Sequence, residues 1–379
     1  MIELLLFLAG GAYLVILTAL VVGLLRSVAA DVKDPSPRPF VSVLIPARDE
    51  EATIRACLES VRDQTYPRDR YEVILIDDHS QDGTARIAQE LAPSFPHLRG
   101  VVPQESTHLT GRSNALALGI DVARGEIFLM TDADCVIPPT WVEGTAARFM
   151  PGVGVVGGLT VQRSNGALEG MQSLDWTFLL GIAAATVGLR LPLSIIGNNF
   201  SIHRKAYDDV GGFRSIKNSV TEDFQLFKAV VNTRRWGYRF MVDPATPNVT
   251  RPCPSIREVI EQKHRWGRGG LDLNWLGYTL VVTAFLMHAS LVAAAFFDAG
   301  AFWLWLGLKV WGDLMFVGIV AARVGRLRDL RFGIWFELYY FAYVLLMPLR
   351  VFFVRDVVWK GRAYHTNQAD GTAASTRSV

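Results

Sequence analysis

The chain has 379 residues, of which 50% are hydrophobic and only 20% charged, and its mean hydropathy is +0.25. That composition excludes an intrinsically disordered chain, which combines low hydrophobicity with high net charge. A formal net charge of +2 excludes a nucleic-acid binder, and three scattered cysteines (Cys57, Cys135 and Cys253) exclude a disulfide scaffold and fit a reducing compartment.

Residues 4–25 carry no charge, a run long enough to cross a hydrocarbon core of about 30 Å at roughly 1.5 Å per residue. Val28-Ala29-Ala30 resembles a signal-peptide cleavage site. The run is too long for a signal core, however, and Met1-Ile2-Glu3 supplies no positive start, so a retained anchor over residues 1–26 is expected. Residues 27–39, with Pro35, Pro37 and Pro39, read as an extended linker.

From residue 40 to about 270, short apolar runs alternate with helical patterns. Strands are predicted over 41–45, ending at Pro46, over 71–76 and over 126–130. Helices are predicted over 51–64, 84–91 and 114–123. Strands interleaved with helices imply one α/β domain over 40–270 with a mostly parallel sheet covered on both faces. The apolar stretch 174–189 is too short to span, and it reads either as a buried helix of the domain or as one wall of a lipid groove.

The region 271–355 holds two to three further spans. Residues 273–297 contain no Asp, Glu, Lys or Arg. Residues 299–322 contain Lys309 and Asp313, which lie i,i+4 apart and can pair on a helix. Residues 332–349 are interrupted only by Glu337. Basic residues flank the spans: Arg26, Lys33 and Arg38 after the first, and Arg323, Arg326, Arg328 and Arg331 between the last two. The positive-inside rule then puts the domain in the cytoplasm, at the plasma (inner) membrane of a bacterium. Arg355, Lys360 and Arg362, at the start of the polar tail over 356–379, repeat that basic flank. One C-terminal segment would then lie in the interface or re-enter.

In a parallel sheet, ligands bind beyond the carboxyl ends of the strands, and that is where acidic residues collect. The first strand runs into Pro46-Ala47-Arg48-Asp49-Glu50, the second into Asp77-Asp78-His79-Ser80, and the third into Asp132-Ala133-Asp134. One such acid would be a helix cap, but three successive strand ends are not explained by capping alone. The Asp132/Asp134 pair offers hard oxygen ligands suited to Mg²⁺ or Mn²⁺ together with substrate phosphates. Thr221-Glu222-Asp223 opens a helix, where acids suit the dipole and where one carboxylate could take a proton from a hydroxyl. Gln262-Lys263-His264-Arg265-Trp266 precedes the long C-terminal spans and reads either as an interfacial anchor or as part of a substrate site. The histidines show no metal-ligand spacing, and no GxSxG, GxxxxGK[ST] or GxGxxG element is present.

Taken in order, 46–51, 77–80, Gly111-Arg112-Ser113-Asn114-Ala115-Leu116, 132–134, 221–223 and the QxxRW segment 262–266 resemble the membrane-bound family 2 glycosyltransferases. That group of inverting GT-A-fold enzymes includes cellulose, chitin, hyaluronan and poly-N-acetylglucosamine synthases and ceramide glucosyltransferases. The resemblance implies a GT-A domain, a Rossmann-like mostly parallel α/β sheet, with N- and C-terminal transmembrane helices. It implies a UDP-sugar donor, a divalent metal (Mg²⁺ or Mn²⁺), and a lipid or polysaccharide acceptor at the membrane. Pro46, Arg48 and Glu50 would meet the nucleoside and Asp78 the uracil. Arg112, where the family usually has Lys, would serve the nucleotide, and Asp132 would lie by the ribose, diphosphate and metal. Asp134 would be the main metal ligand and Asp223 the catalytic base. Glu222, Gln262, Arg265 and Trp266 would hold the diphosphate and acceptor, with Asn198, in Gly197-Asn198-Asn199-Phe200, shaping the acceptor side. Arg48 and Asp49 depart from the family's usual aromatic–Asn pair. The tail segment Trp359-Lys360-Gly361-Arg362 with Tyr364 is similar to one in lipid-modifying members.

These implications predict a hexosyl transfer to a lipid hydroxyl, with a processive polysaccharide synthase as the alternative. A non-catalytic membrane scaffold would be expected to have lost Asp134, Asp223 or Arg265, and all three are present. A nucleotidyltransferase would not require the 221–223 and 262–266 segments together.

Overall fold

The computed structural model describes residues 2–28, 38–104, 109, 111–217, 219–354, 356–359 and 362–365. In chain order, helix α1 (Ile2–Val28) precedes β1 (Val41–Ala47), α2 (Ile54–Arg62), β2 (Tyr71–Asp77), α3 (Thr84–Leu91), β3 (Leu98–Val101), α4 (Gly111–Val122) and β4 (Ile127–Met130). These are followed by α5 (Trp141–Ala146), β5 (Val153–Gly158), β6 (Thr160–Gln162), α6 (Ala167–Gly188), β7 (Phe200–His203), α7 (Arg204–Asp209), α8 (Glu222–Asn232), β8 (Gly237–Met241), β9 (Asn248–Thr250) and α9 (Ile256–Gly269). Helices α10 (Trp275–Phe297), α11 (Ala299–Arg323) and α12 (Gly333–Phe353) and the antiparallel pair β10 (Asp356–Trp359) and β11 (Arg362–His365) complete it. Most of the expected 27–39 linker and most of the 356–379 tail fall outside the described residues.

The central sheet has the order β3-β2-β1-β4-β7-β5-β8. All its neighbours run parallel except at β7, which is antiparallel to both β4 and β5. Alternation along the strands sends Val41, Val43 and Ile45 to a core with α2, α3 and α5, and sends Leu44, Ile74 and Ile76 to a core with α4, α7 and α8. The result is a three-layer α/β/α sandwich, with a chain reversal between β1 and β4 where such sheets bind ligands.

Several boundaries differ from the sequence expectation. Strand β1 continues past Pro46 to Ala47, paired to β2 throughout, whereas its pairing with β4 stops at Leu44. Leu44 O bonds Thr131 on the β4 side and Ala47 O bonds Asp78 on the β2 side. By alternation, the missing N–H of Pro46 faces the edge that β4 has already left. Helix α2 starts at Ile54 because Glu50 O first closes a turn with the amides of Thr53 and Ile54. Helix α4 starts three residues early, at Gly111, whose φ of 57° is in the left-handed region. Strands β3, β5, β7 and β8 lack a clean pattern in the sequence because Gly and polar residues interrupt them.

Four helices are long and apolar enough to cross a membrane: α1 (Glu3–Val28 of it), α10, α11 and the stretch Leu327–Phe353 that includes α12. Helix α6 (the 174–189 stretch) is a buried core helix, packed on α1, α11 and α12. It meets α1 where Gly188 abuts the backbone of Gly23, a contact that a Cβ at either glycine would block. Lys309 pairs with Asp313 at 3.0 Å and also with Glu337 of α12, while Tyr13 of α1 donates to Asp313 at 2.7 Å. The ionisable residues inside the apolar helices thus face one another and tie three helices together.

Glu72 at the start of β2 is 1% exposed and fastens the far end of the sheet. Its carboxylate accepts from Ser42 Oγ (2.8 Å), Arg124 N (2.6 Å) and Arg124 Nε (3.1 Å), and it pairs with Arg99 at 3.2 Å. Burial raises its pKa, but these donors outweigh burial and hold it below the ordinary glutamate value. A depressed carboxylate contributes stability above the unfolded-state pKa and loses it as pH falls through the folded one. Glu72→Ala should therefore cost about 2 kcal/mol at neutral pH, mainly from the Ser42 hydroxyl and Arg124 amide losing their acceptor. In thermal unfolding of the detergent-solubilised protein, the gap from wild type should narrow in acid below about pH 4.

Candidate active site

The ends of β1 and β2 are stitched into one wall by hydrogen bonds between their loops. Asp49 and His79 sit at φ 52° and 59°, an uncommon conformation for residues other than glycine. Asp49 N donates to Ser80 Oγ at 3.0 Å and its carboxylate accepts from Gln81 N at 2.7 Å. Glu51 N donates to Asp82 (2.9 Å) and Glu50 N to Thr84 Oγ1 (2.8 Å), and Thr53 Oγ1 donates to the Glu50 carboxylate at 2.8 Å. Arg48 lies 3.7 Å from Asp78. Asp49, Ser80 and Asp82 are thus the fasteners, while Pro46, Arg48, Glu50 and Asp78 line the cleft.

Arg112, on the first turn of α4, is the hub of the cleft floor. Its guanidinium bonds Asp132 Oδ1 at 2.9 and 3.0 Å, Glu222 Oε1 at 2.6 Å and the Gly197 carbonyl at 2.9 Å. Three chain segments far apart in sequence meet on one planar cation. Burial opposes its charge, but Asp132 and Glu222 more than compensate and raise its pKa. Arg112 thus bridges three protein acceptors while lining the cleft where the sequence reading placed it beside the nucleotide. A lysine has no planar fork with which to bridge three acceptors.

Asp134 is held at both oxygens: Thr250 Oγ1 donates to Oδ2 at 3.0 Å and Cys135 Sγ to Oδ1 at 3.5 Å. Burial and the neighbouring Asp132 carboxylate raise its pKa to about 6. Among the described residues no three His, Cys, Asp or Glu side chains are grouped to hold a metal by themselves. The residues that could hold a hard divalent cation are the Asp132/Asp134 pair, with phosphate and water completing its ligands. The raised Asp134 pKa is the electrostatic counterpart of that fit, since uncompensated negative charge is what a cation relieves.

Opposite this pair, the N-terminus of α8 presents Glu222 and Asp223, and α9 presents Gln262, Arg265 and Trp266. Asp223 Oδ1 accepts from Phe224 N at 2.8 Å. Burial and Glu222 raise its pKa to about 6 despite the opposing Arg112 and Arg265, and burial lowers that of Arg265. Gly197 makes the approach possible: a Cβ there would lie 2.8 Å from Asp223 Oδ2 and 2.9 Å from Arg112 Nη1. Asn198 lines the cleft beside it, its side-chain oxygen accepting from Thr160 Oγ1 at 2.8 Å.

All thirteen residues singled out from the sequence border a single cleft of about 270 Å³. Thr250, Gly197, Arg251 and Trp176 also line it and were not singled out as site residues. Thr250 and Arg251 leave a three-residue strand with no motif, and Trp176 lies in an apolar helix whose pattern reads as core. The raised Asp134 pKa has a measurable consequence. Its protonated form is favoured by folding, so this contribution to stability is full at low pH and is lost as pH rises through about 6. At pH 8 without divalent ions, Asp134→Asn should melt at or above wild type, and only wild type should gain Tm on adding Mn²⁺ with UDP. A lower Tm for the variant, or an equal gain, would contradict this account of the site.

Comparison with known proteins agrees with this architecture. The chain is 38% identical over 124 residues to Glycosyltransferase AglE of Haloferax volcanii, covering 32% of this chain and 40% of that protein. It is 28% identical over 241 residues to a beta-monoglucosyldiacylglycerol synthase of Trichormus variabilis, covering 61% of this chain and 49% of the relative. The chain thus spans about half the length, or less, of these relatives. A solved structure, the mannosyltransferase PcManGT from Pyrobaculum calidifontis in complex with GDP-Man and Mn²⁺, superposes with a TM-score of 0.64 at 19% identity, over 93% of this chain and 99% of that one. That likeness establishes the GT-A fold. The family is settled by residues 11–372, which match the sequence profile described as Glycosyl transferase family 21, a different family number from the resemblance drawn above. With nearly its whole length inside that match, the chain belongs to glycosyl transferase family 21.

Proposed function

We propose that this protein transfers a hexose from a UDP-sugar to a hydroxyl of a membrane lipid, with inversion at the anomeric carbon. The observation that carries the reading is one cleft in which Asp223 and Arg112 converge on Gly197, Arg112 binds Asp132, and the Asp132/Asp134 pair lines the same space. Asp223 takes the proton of the acceptor hydroxyl, whose oxygen attacks the anomeric carbon from the face opposite the nucleotide. The bond from that carbon to the phosphate oxygen breaks, and UDP leaves with both bonding electrons. Arg265 stabilises the departing diphosphate, while Arg112 keeps Glu222 and Asp132 in place. A Mg²⁺ or Mn²⁺ ion held by Asp134 and Asp132 would supply Lewis-acid stabilisation of the leaving group. Pro46, Arg48, Glu50 and Asp78 form the wall for the nucleoside.

A lipid acceptor is supported by the likeness to a glucosyldiacylglycerol synthase and by the helices beside the cleft. The interior between α6, α11 and α12 is filled by Phe178, whose ring lies 5.6 Å from Phe316, 5.8 Å from Phe336 and 5.1 Å from Tyr340. That packing favours a lipid acceptor over a processive polymer, which needs a sugar-width path. The basic residues after α1 and between α11 and α12 support a cytoplasmic cleft at the inner membrane.

The test is label transfer from UDP-glucose, UDP-galactose or UDP-N-acetylglucosamine with Mn²⁺ to native membrane lipid. One organic-extractable product is expected, and a long water-soluble polymer would establish the processive alternative instead. Asp223→Asn should lower the rate by about 10²-fold or more while leaving UDP affinity intact. Because the base must be ionised, kcat/KM should rise with pH through about 6, and Gly197→Ala, which pushes Asp223 from Arg112, should lose about tenfold or more. Full activity in Asp223→Asn would remove it from the mechanism.

A further inference from the structure

Helix α9 shows two faces. Gln262, Arg265 and Trp266, at i, i+3 and i+4, line the cleft. Lys263 and His264, between them in sequence, turn into the protein interior and are 1% and 3% exposed. His264 Nε2 donates to the carbonyl of Val354 at 2.9 Å, and Arg268 donates to that of Val351 at 3.2 Å. Both are carbonyls at the end of α12 that lack helical partners of their own. His264 and Arg268 therefore bind α9 to the end of a membrane-type helix.

Helix α6 meets α9 at two adjacent residues. Asp175, wholly buried, forms an ion pair with Lys263. Trp176 meets Trp266 edge-on with ring centroids 5.2 Å apart. The Lys263 ammonium lies 4.2 Å from the centre of the Trp266 ring, within range for a cation–π contact. A buried ion pair adds little stability over an apolar pair of the same size. What this pair supplies is direction, because it fixes a cation against one face of a tryptophan whose edge meets Trp176. Both indoles border the cleft. Sheet order places the nucleoside wall at β1 and β2, whereas α6 packs beneath α1, α11 and α12. The Trp176/Trp266 pair thus belongs to the part of the cleft nearest the apolar helices.

We infer that Trp176 is an acceptor-specificity residue, forming with Trp266 an aromatic wall against the hydroxyl-bearing end of a lipid, and that Lys263 and Asp175 are positioning residues that set this wall. The inference rests on the lipid-acceptor reading above. Its logic is geometric: the acceptor needs one hydroxyl aimed at the anomeric carbon, and a flat apolar wall restricts the approach of the group that carries it.

The experiment uses the full chain in nanodiscs, with a labelled UDP-hexose plus Mn²⁺ as donor, total membrane lipid extract, titrated, as acceptor, and UDP plus Mn²⁺ as a separate probe of donor-site binding. Trp176→Ala should raise the half-saturating lipid concentration about tenfold, with the UDP dissociation constant within about twofold of wild type. Lys263→Met/Asp175→Leu replaces the ion pair with an apolar one. It should keep its Tm within about 5 °C of wild type and still raise the half-saturating lipid concentration about fivefold. An unchanged lipid requirement in a Trp176→Ala protein that binds UDP would overturn the inference for Trp176. If Trp176→Ala loses UDP binding, Trp176→Phe decides: a raised lipid requirement with normal UDP affinity supports the inference, and wild-type values for both overturn it. A double variant that regains stability and wild-type lipid dependence together would reduce Lys263 and Asp175 to a structural role. If wild type itself labels no lipid, the acceptor reading fails first and this inference with it.

Discussion

The arrangement of the cleft depends on one guanidinium. Arg112 binds the carboxylate that follows β4, the acid that opens α8 and the carbonyl of Gly197, and the farthest of these, Glu222, lies 110 residues from it in sequence. A planar cation with five donors can satisfy such acceptors simultaneously, and a point charge on a flexible stem cannot fix their relative orientation. Without it, Asp132 and Glu222 would lose the cation that bridges them directly, leaving Arg265 to offset their repulsion in a poorly solvated cleft. The position of Asp223, beside Glu222 and against Gly197, follows from that bridge.

The same cleft is electrostatically unfinished. Six acids, Glu50, Asp78, Asp132, Asp134, Glu222 and Asp223, line it with four guanidinia, those of Arg48, Arg112, Arg251 and Arg265. The excess appears as the raised pKa values of Asp134 and Asp223. Folding therefore tolerates unfavourable charge at the place where a cation and a polar substrate would be most stabilised. Such a balance, with stability yielded locally for a preorganised field, is the ordinary physics of active sites. It also explains why the supporting donors are neutral: Thr250 and Cys135 orient Asp134 without removing its charge.

Helix α6 joins the two halves of the molecule. One end touches α1 through the Gly23–Gly188 contact, its middle packs Phe178 among the aromatics of α11 and α12, and its Trp176 reaches the cleft. Helix α9 makes the complementary link, with Arg265 and Trp266 on one face and the His264 bond to the end of α12 on the other. The cleft and the apolar helices are consequently one packed unit, with Trp176 and Trp266 bordering the cleft where they join.

Much of this was legible in the sequence because the signals are local. Apolar length identified the membrane-type helices, alternating periods marked β1, β2 and β4, and acids directly after strands marked the ligand-binding edge of the sheet. What stayed hidden depends on side chains brought together from distant segments. Nothing near Arg112 in sequence tells that it bridges two distant acids and a carbonyl, and the apolar pattern of 174–189 leaves open whether Trp176 packs in the core or lines a groove. The antiparallel insertion of β7, the hold of Thr250 on Asp134 and the burial of Lys263 against Asp175 were likewise settled only by packing. The sequence by itself determined which chemical groups are present and at which strand ends they emerge, because those follow from short-range periodicity. Tertiary structure alone decided which charges neutralise one another and which remain exposed to a substrate, because Coulomb interactions and burial depend on distances that the chain order does not contain.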